Sequence, residues 1–338
     1  MNKNKTVVVT GVTGFLGSHT SIQLLKQGFN VRGTLRSLKR STDIEKVILG
    51  QVGETQATLS FYECDLSKDE GWHNVMQGAD YVIHSASPFL AYLPKDENDI
   101  IKPAVEGTLR VLKAAYEQKI QRVVLTSSIA SIIYGHENKQ QTEECWTDPT
   151  DKRITPYYKS KTLAEKAAWD YADKTGLSLS AINPGIILGP VLEDDYGTSA
   201  EVIIKLLDKS LPAIPQIGFT ISDVRDVANA HILAMISPEA GGERYIAASK
   251  FMWMSEISAV LKKQFPTHKI PKRVLPNWIV KILSYFDPAL KTVVKDLGLK
   301  HHLSNKKART QLNWHQRNEE ETISDTVQSL IKQGVIKF

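Results

Sequence analysis

Cysteine is scarce: Cys64 and Cys145 are the only two in 338 residues. That rules out a disulfide framework, and without a CxxC pair or a Cys/His cluster no metal site is expected. No run of about 18 apolar residues occurs, so no bilayer-spanning helix is expected. The polar stretch Met1–Lys5 leads straight into an apolar strand with no signal core ahead of it. These absences predict a chain of a reducing compartment, cytoplasmic by default. An excess charge of one sign is nearly missing too: 42 Lys and Arg face 37 Asp and Glu, a net +5. That surplus suits a nucleic-acid binder only if gathered into a stripe, and no nucleic-acid partner is expected. With 20 Gly, 14 Pro and 42% hydrophobic residues, collagen-like and linker-like readings fail. At about 150 residues per domain, the length suggests two domains or one large α/β unit with an appendage.

What is present alternates. Short β-rich runs (Thr6–Thr10, Asn30–Leu35, Thr58–Tyr62, Asp80–Ser85, Arg122–Thr126, Leu177–Ile182) are separated by helical patterns at Leu16–Gln27, Ile100–Gln118 and Pro156–Lys174. Five-residue apolar strands between helices imply βαβ units, hence a Rossmann-type doubly wound parallel sheet of the α/β class, with ligands at the strand C-terminal ends. Beyond Asn183 the pattern loosens. Asp223 predicts an N-cap for a helix over Val224–Met235 and Arg244–Ala247 one more strand; Ser255–Phe265, Asn277–Phe286 and Glu319–Lys332 read as helices. The expected division is a dinucleotide-binding domain over residues 1–188 plus about 222–250. About 189–221 and 251–338 make a smaller, discontinuous, mostly helical C-terminal lobe for substrate.

The turn after the first strand reads Gly11-Val12-Thr13-Gly14-Phe15-Leu16-Gly17. A strand before it and a helix after it make it a pyrophosphate loop. Gly11 permits the tight turn, Gly14 lets backbone N–H groups approach the anion, and Gly17 lets the helix pack close. NAD-binding chains carry an acidic residue about 20 positions on, for the ribose 2′-hydroxyl. Here no carboxylate stands between Ser18 and Thr42, while Arg36 closes the second strand and Lys39 and Arg40 follow within one turn. Such a cluster suits a 2′-phosphate, so NADP(H) is the expected cofactor. Ser85-Ala86-Ser87 ends the fourth strand with small residues that let the backbone pass the ribose and nicotinamide side.

Thr155-Pro156 opens a helix on which Tyr157 and Lys161 stand one turn apart. A carbonyl that accepts hydride needs a proton donor, and a nearby ammonium pulls a phenol's pKa toward neutrality. Tyr158 is the rival phenol, on another face. A third hydroxyl is expected at the end of the fifth strand, Leu125-Thr126-Ser127-Ser128, from either serine.

Taken in order, TGVTGFLGSH, CDL, TSSIAS, YYKSKTLAEKAAW and NPGIILGP resemble the dihydroflavonol 4-reductase and cinnamoyl-CoA reductase branch of the extended short-chain dehydrogenases/reductases, over roughly residues 5–250. The resemblance implies a Ser128, Tyr157 and Lys161 triad and cofactor contacts from Thr13, Phe15, Leu16 and Thr126. It also implies Arg36 and Arg40 on the 2′-phosphate, Asp65-Leu66 beside the adenine, and Pro184-Gly185-Ile186-Ile187 flanking the nicotinamide. An alternative for Asp65 is the N-cap of a helix over 66–77. The activity implied is NADPH-dependent reduction of a small-molecule aldehyde or ketone by a monomer or homodimer. Nothing after Ser128 reads as a polyphenol or coenzyme A handle, since Ile129, Ala130 and Ser131 are compact and neutral.

Alternatives on the same fold are a nucleotide-sugar epimerase or dehydratase and a 3β-hydroxysteroid dehydrogenase-like enzyme; one of another class is a non-catalytic NADP(H) sensor. The retained Ser, Tyr and Lys argue against the sensor. Phe89, Ile129, Tyr196 and Trp253 are candidates for the substrate pocket. His19, His84 and His231 read as packing or capping residues. The apolar stretch Leu275–Phe286 reads as a helix packed on the second lobe, with a lid, a dimer contact or a membrane-surface helix as alternatives.

Overall fold

The computed structural model describes residues 5–88, 96–136, 139–193, 196–208, 210–286 and 288–337. Strands are β1 (Thr6–Thr10), β2 (Asn30–Leu35), β3 (Leu59–Glu63), β4 (Tyr81–His84), β5 (Arg122–Thr126), β6 (Leu179–Pro184), β7 (Ile186–Leu188), β8 (Gly218–Asp223), β9 (Glu243–Ala247) and β10 (Phe251–Trp253). Helices are α1 (Phe15–Lys26), α2 (Ser41–Val52), α3 (Trp72–Met76), α4 (Asn98–Glu117), α5 (Pro156–Thr175), α6 (Glu201–Leu207), α7 (Val224–Ile236), α8 (Met254–Gln264), α9 (Asn277–Leu283), α10 (Pro288–Val294), α11 (Lys306–Gln311) and α12 (Glu319–Lys332).

β1 shows why the sheet forms. Val7 and Val9 lie in a core shared with α1, α2 and α7, while Val8 faces the opposite core with α3, α4 and α5. A strand buried on both faces needs helices on both sides, which is the doubly wound arrangement. Seven strands run in the order β3-β2-β1-β4-β5-β6-β9, parallel throughout. The order reverses between β1 and β4, so the crevice for ligands opens at the ends of those strands.

A separate three-stranded sheet, β10-β8-β7, sits with α6, α8 and α12 around a second core that includes Leu188, Ile203, Ile221, Ile257 and Val327. Nothing in the local sequence pattern announces this sheet. Its strands are short, and Gly185 and Gly218 interrupt their apolar alternation. Ala308, Leu312 and Trp314, late in the chain, return to the core of the large sheet. Phe15 packs against both cores and so stands at their junction.

Two local expectations are corrected. The helix expected over 66–77 is only α3: its N-cap is Gly71 in a left-handed conformation, φ 86°. Asp65 instead takes the Ser67 N–H and hydroxyl at 2.8 Å each, closing its own turn. The apolar stretch Leu275–Phe286 is not packed along its length. Val280 alone in α9 is buried, and Trp278, Ile282, Leu283, Tyr285 and Phe286 are exposed. Among the described residues no helix is long and apolar enough to cross a membrane.

Candidate functional site

The loop between β1 and α1 has the shape its glycines require. Gly11 adopts φ 68°, and a Cβ on Gly17 would stand 2.2 Å from the Gly11 carbonyl oxygen. Helix α1 begins at Gly14 with no side-chain cap and no acidic residue in its first turn. Its first N–H groups and the positive end of the helix dipole are therefore left to an external anion, as a pyrophosphate needs. Thr13 and Phe15 are half-buried and Leu16 is buried; Phe15 meets His19 edge-to-face at 5.5 Å.

Beside this loop, Arg36, Lys39 and Arg40 are all exposed at the end of β2. Tertiary folding brings carboxylates here that the local sequence lacks. Glu193 pairs with Arg40 at 2.8 Å, and Glu63 accepts the Leu38 N–H at 3.2 Å. The Arg36 charge reaches Asp65, whose carboxyl lies below its usual range mainly through its two Ser67 hydrogen bonds. Leu66 packs against Gly107 of α4.

The end of β4 lies against the glycine loop. Ser85 donates to the Thr10 carbonyl at 2.6 Å, and the Ala86 N–H donates to the Thr10 hydroxyl at 3.0 Å. A Cβ on Gly11 would meet Ala86 at 3.1 Å. His84 contacts the Thr10 hydroxyl at 2.8 Å, and burial lowers its pKa to about 3. His231 links the Thr126 hydroxyl at 2.7 Å to the Val227 carbonyl at 2.7 Å, and burial lowers it to about 4. His19 meets the Pro190 carbonyl at 2.9 Å and is likewise lowered by burial to about 4. All three are neutral fasteners at pH 7. Among the described residues no group of His, Cys, Asp or Glu is arranged to hold a metal.

Helix α5 positions the phenols. Thr155 caps it through the Tyr158 N–H, Pro156 occupies its first turn, and Gly176 ends it at φ 75°. Tyr157 stands beside Ser128, whose hydroxyl lowers the phenol's pKa, and Ser128 caps the turn after β5 by accepting the Ala130 N–H at 3.1 Å. Tyr158 packs edge-on against Tyr134 with ring centroids 4.9 Å apart, and Tyr134 donates to Asp296. Lys161 reaches Ser87 at 3.1 Å.

The two key pKa values run against the simple sequence argument. Burial pushes the Tyr157 phenol above its ordinary value, with Ser128 offsetting part of the rise. Burial lowers Lys161 to about 8, opposed by the Glu165 charge one turn on. Desolvation sets the direction of the phenol's shift, and Ser128 rather than the Lys161 ammonium counters it.

Behind Ser128 lies a buried ionic knot. Glu165 pairs with Arg244 at 2.6 Å and also accepts from Ser127, from Ser131 at 2.6 Å and from Asn183 at 2.9 Å. Asn183 donates to the Ser128 carbonyl at 3.1 Å. Arg244 also donates to the carbonyls of Glu143 (2.6 Å) and Cys145 (3.0 Å) and lies 3.7 Å over the Trp146 ring. Ser127 is thereby committed to Glu165, while Ser128 is turned to Tyr157. Sequence reasoning missed this knot; its one signal was Glu165 one helical turn after Lys161.

Ser128 and Tyr157 form one wall of a cavity of about 350 Å³. Ile129, Gly185, Ile186 and Tyr158 also line it, with Thr220, Asp296 and His301 from later in the chain. Gly185 is required there, since a Cβ would lie 2.0 Å from the Thr220 carbonyl oxygen. Pro184 is buried in β6, and Ile187 turns to the large core. Tyr196 gives its hydroxyl to Glu201 at 3.1 Å and packs on the second core. Trp253 stacks edge-on with Phe251. Phe89 lies outside the described residues.

Known proteins match this arrangement. The sequence pattern of the NAD dependent epimerase/dehydratase family covers residues 7–248. Cinnamoyl-CoA reductase 1 of Petunia hybrida is 34% identical over 298 residues, 87% of this chain and 86% of that protein. Dihydroflavonol 4-reductase of Zea mays is 33% identical over 279 residues, 79% of this chain and 76% of that protein. The crystal structure of yeast methylglyoxal/isovaleraldehyde reductase Gre2 complexed with NADPH superposes with a TM-score of 0.81 at 29% identity, covering 98% of this chain and 100% of that one. A glycine loop under an uncapped helix and a Ser-Tyr-Lys group at the sheet's edge thus coincide with likeness along nearly the whole chain, and the protein belongs to the NAD dependent epimerase/dehydratase family, in the oxidoreductase branch of dihydroflavonol 4-reductase and cinnamoyl-CoA reductase.

Proposed function

We propose that the protein is an NADPH-dependent reductase that converts the carbonyl of an aldehyde or ketone to an alcohol. The observation that carries this reading is the pairing of Ser128 with Tyr157 on the wall of a largely apolar cavity, with Lys161 beside it on the same helix. The nicotinamide, when bound, supplies hydride to the carbonyl carbon. The chain's own residues do the rest. Ser128 and Tyr157 hydrogen-bond the carbonyl oxygen, and the Tyr157 phenol donates the proton as charge develops there. Its raised pKa suits that direction, because the phenol stays protonated near pH 7. Lys161, tied to Ser87 at the end of β4, holds the ribose hydroxyls and adds positive potential.

The uncapped start of α1 takes the pyrophosphate, Arg36 with Lys39 and Arg40 takes the 2′-phosphate, and Asp65-Leu66 borders the adenine. Ser85, Ala86, Ser87 and Thr126 line the ribose side, and Pro184-Gly185-Ile186-Ile187 flank the nicotinamide. The lobe around the small sheet closes the cavity and selects the substrate. An epimerase or dehydratase is disfavoured because the residues after Ser128 are Ile129 and Ala130, with no acid for elimination. The test is NADPH oxidation monitored at 340 nm over aldehydes, α-ketoesters, diketones and aryl ketones, with Tyr157→Phe as the blank. Turnover falling by about 100-fold or more in that variant supports the mechanism. An unchanged rate refutes it.

A further inference from the structure

Thr220 stands apart among the polar groups of the cavity. It is 3% exposed, and its hydroxyl has no hydrogen-bond partner among the described residues. Its neighbour on the same face of β8, Ser222, is fully engaged: it takes the Gly185 N–H at 2.9 Å and donates to the Ala247 carbonyl at 2.8 Å. Ile221, between them, points the other way into the second core. Thr220 points away from that core and lines the cavity, as well as a neighbouring hollow that also holds Lys250 and Lys300. Buried hydroxyls are rarely left unpaired, because an unmet hydrogen bond is costly.

Asp296 supplies a second polar point in the same cavity. Tyr134 uses one acceptor site on its carboxylate, out of the roughly four that a carboxylate has. No lysine or arginine lines the cavity among the described residues. The remaining walls are mainly apolar, with Ile133, Ile186, Val202, Ile217, Phe219 and Leu299, while Thr198, Ser199 and His301 add further polar atoms. A neutral hydroxyl satisfies either polar partner, since it accepts from Thr220 and donates to Asp296. An anionic group would meet the Asp296 carboxylate in a desolvated wall, a like-charge contact that the nearby Lys295 charge opposes.

We propose that Thr220 and Asp296 form a second recognition point for a hydroxyl group on the substrate, so that hydroxy-aldehydes and hydroxy-ketones are the preferred class over unsubstituted and acidic carbonyl compounds. This rests on the reductase reading above and names the substrate class of that site. A volume of about 350 Å³ suits a medium-sized molecule with an apolar spacer between carbonyl and hydroxyl.

The experiment compares kcat/KM of the full chain with NADPH for three matched compounds: an alkyl ketone, its hydroxyl-bearing analogue and the corresponding keto acid. The expected result is a preference of about 10–100-fold for the hydroxyl compound over the alkyl one, with the keto acid poorest. Thr220→Val keeps the side-chain shape and should narrow the preference to about threefold or less, Asp296→Asn should narrow it partially, and Thr220→Ser should restore it. Equal kcat/KM for the alkyl and hydroxyl compounds, or an undiminished preference in Thr220→Val, overturns the recognition point while leaving the reductase reading intact. No turnover of any of the three overturns both.

Discussion

Breaking the Glu165–Arg244 pair should destabilise the whole chain measurably, and removing both partners should cost less than the two single losses added together. Both side chains are almost wholly enclosed, at 0% and 8% exposure, so neither charge has water to fall back on. Glu165→Leu leaves Arg244 as an uncompensated buried cation, and Arg244→Met leaves the Glu165 carboxylate among Ser127, Ser131 and Asn183 alone. Loss of one partner of a buried pair costs about 3–5 kcal/mol. With about 2.1 cal/mol/K of unfolding entropy per residue, 338 residues give about 0.7 kcal/mol/K, so each single variant should lower Tm by about 4–7 °C. The double variant removes both charges and should fall short of the sum by about 1–3 kcal/mol, seen as a Tm above the additive value in thermal melts at pH 7. The pH dependence carries a sign. Burial alone would raise the Glu165 carboxyl, but the Arg244 charge and the hydrogen bonds from Arg244, Ser127 and Ser131 outweigh it and hold it below its usual value. Its contribution is therefore complete above the unfolded value near 4.3 and is lost as pH falls through the lower folded value. Wild type should show that acid loss and Glu165→Leu should not. Additive Tm changes, or single variants within about 1 °C of wild type, would refute the assignment.

Further outcomes follow from the cofactor side. Gly17→Ala forces a Cβ against the Gly11 carbonyl at 2.2 Å, so NADPH binding by fluorescence titration should weaken by about 100-fold or more; a change under threefold contradicts the loop's role. Arg36→Glu should weaken NADPH far more than NADH, by about 10-fold or more in relative Kd, and equal losses contradict the 2′-phosphate assignment. Burial lowers Lys161 to about 8, so reductase kcat/KM should fall above about pH 8 as the ammonium loses its proton. In Lys161→Arg the remaining activity should stay flat to higher pH, and an unmoved inflection in that variant excludes Lys161 as its origin.

The structure also changes how the basic segment is understood. Arg36, Lys39 and Arg40 read in sequence as cations beside a carboxylate-free stretch, and they do emerge together and exposed. Arg40 is nonetheless paired with Glu193, which lies far along the chain, and Glu63 joins from the end of the neighbouring strand. A window of local sequence cannot register partners delivered by the crossing of strands. The same holds for the two serines after β5. Nothing local separates Ser127 from Ser128; Glu165 on α5 does, by claiming the first and leaving the second to Tyr157.

By itself the sequence determined what depends on neighbours along the chain. The apolar run of β1, the glycine spacing of the loop, the Thr155-Pro156 start of α5 and the Asp223 cap of α7 all act within one turn of helix or one strand, and each element stands where its local pattern put it. Burial decided the rest. Desolvation, which no local pattern encodes, raises Tyr157, lowers Lys161 and keeps His84 and His231 neutral. The small sheet, the knot around Glu165 and the cavity that Thr220 and Asp296 both line join segments scattered from Ser127 to His301, because charge pairing and cavity shape depend on which surfaces the packed sheet and lobe bring together.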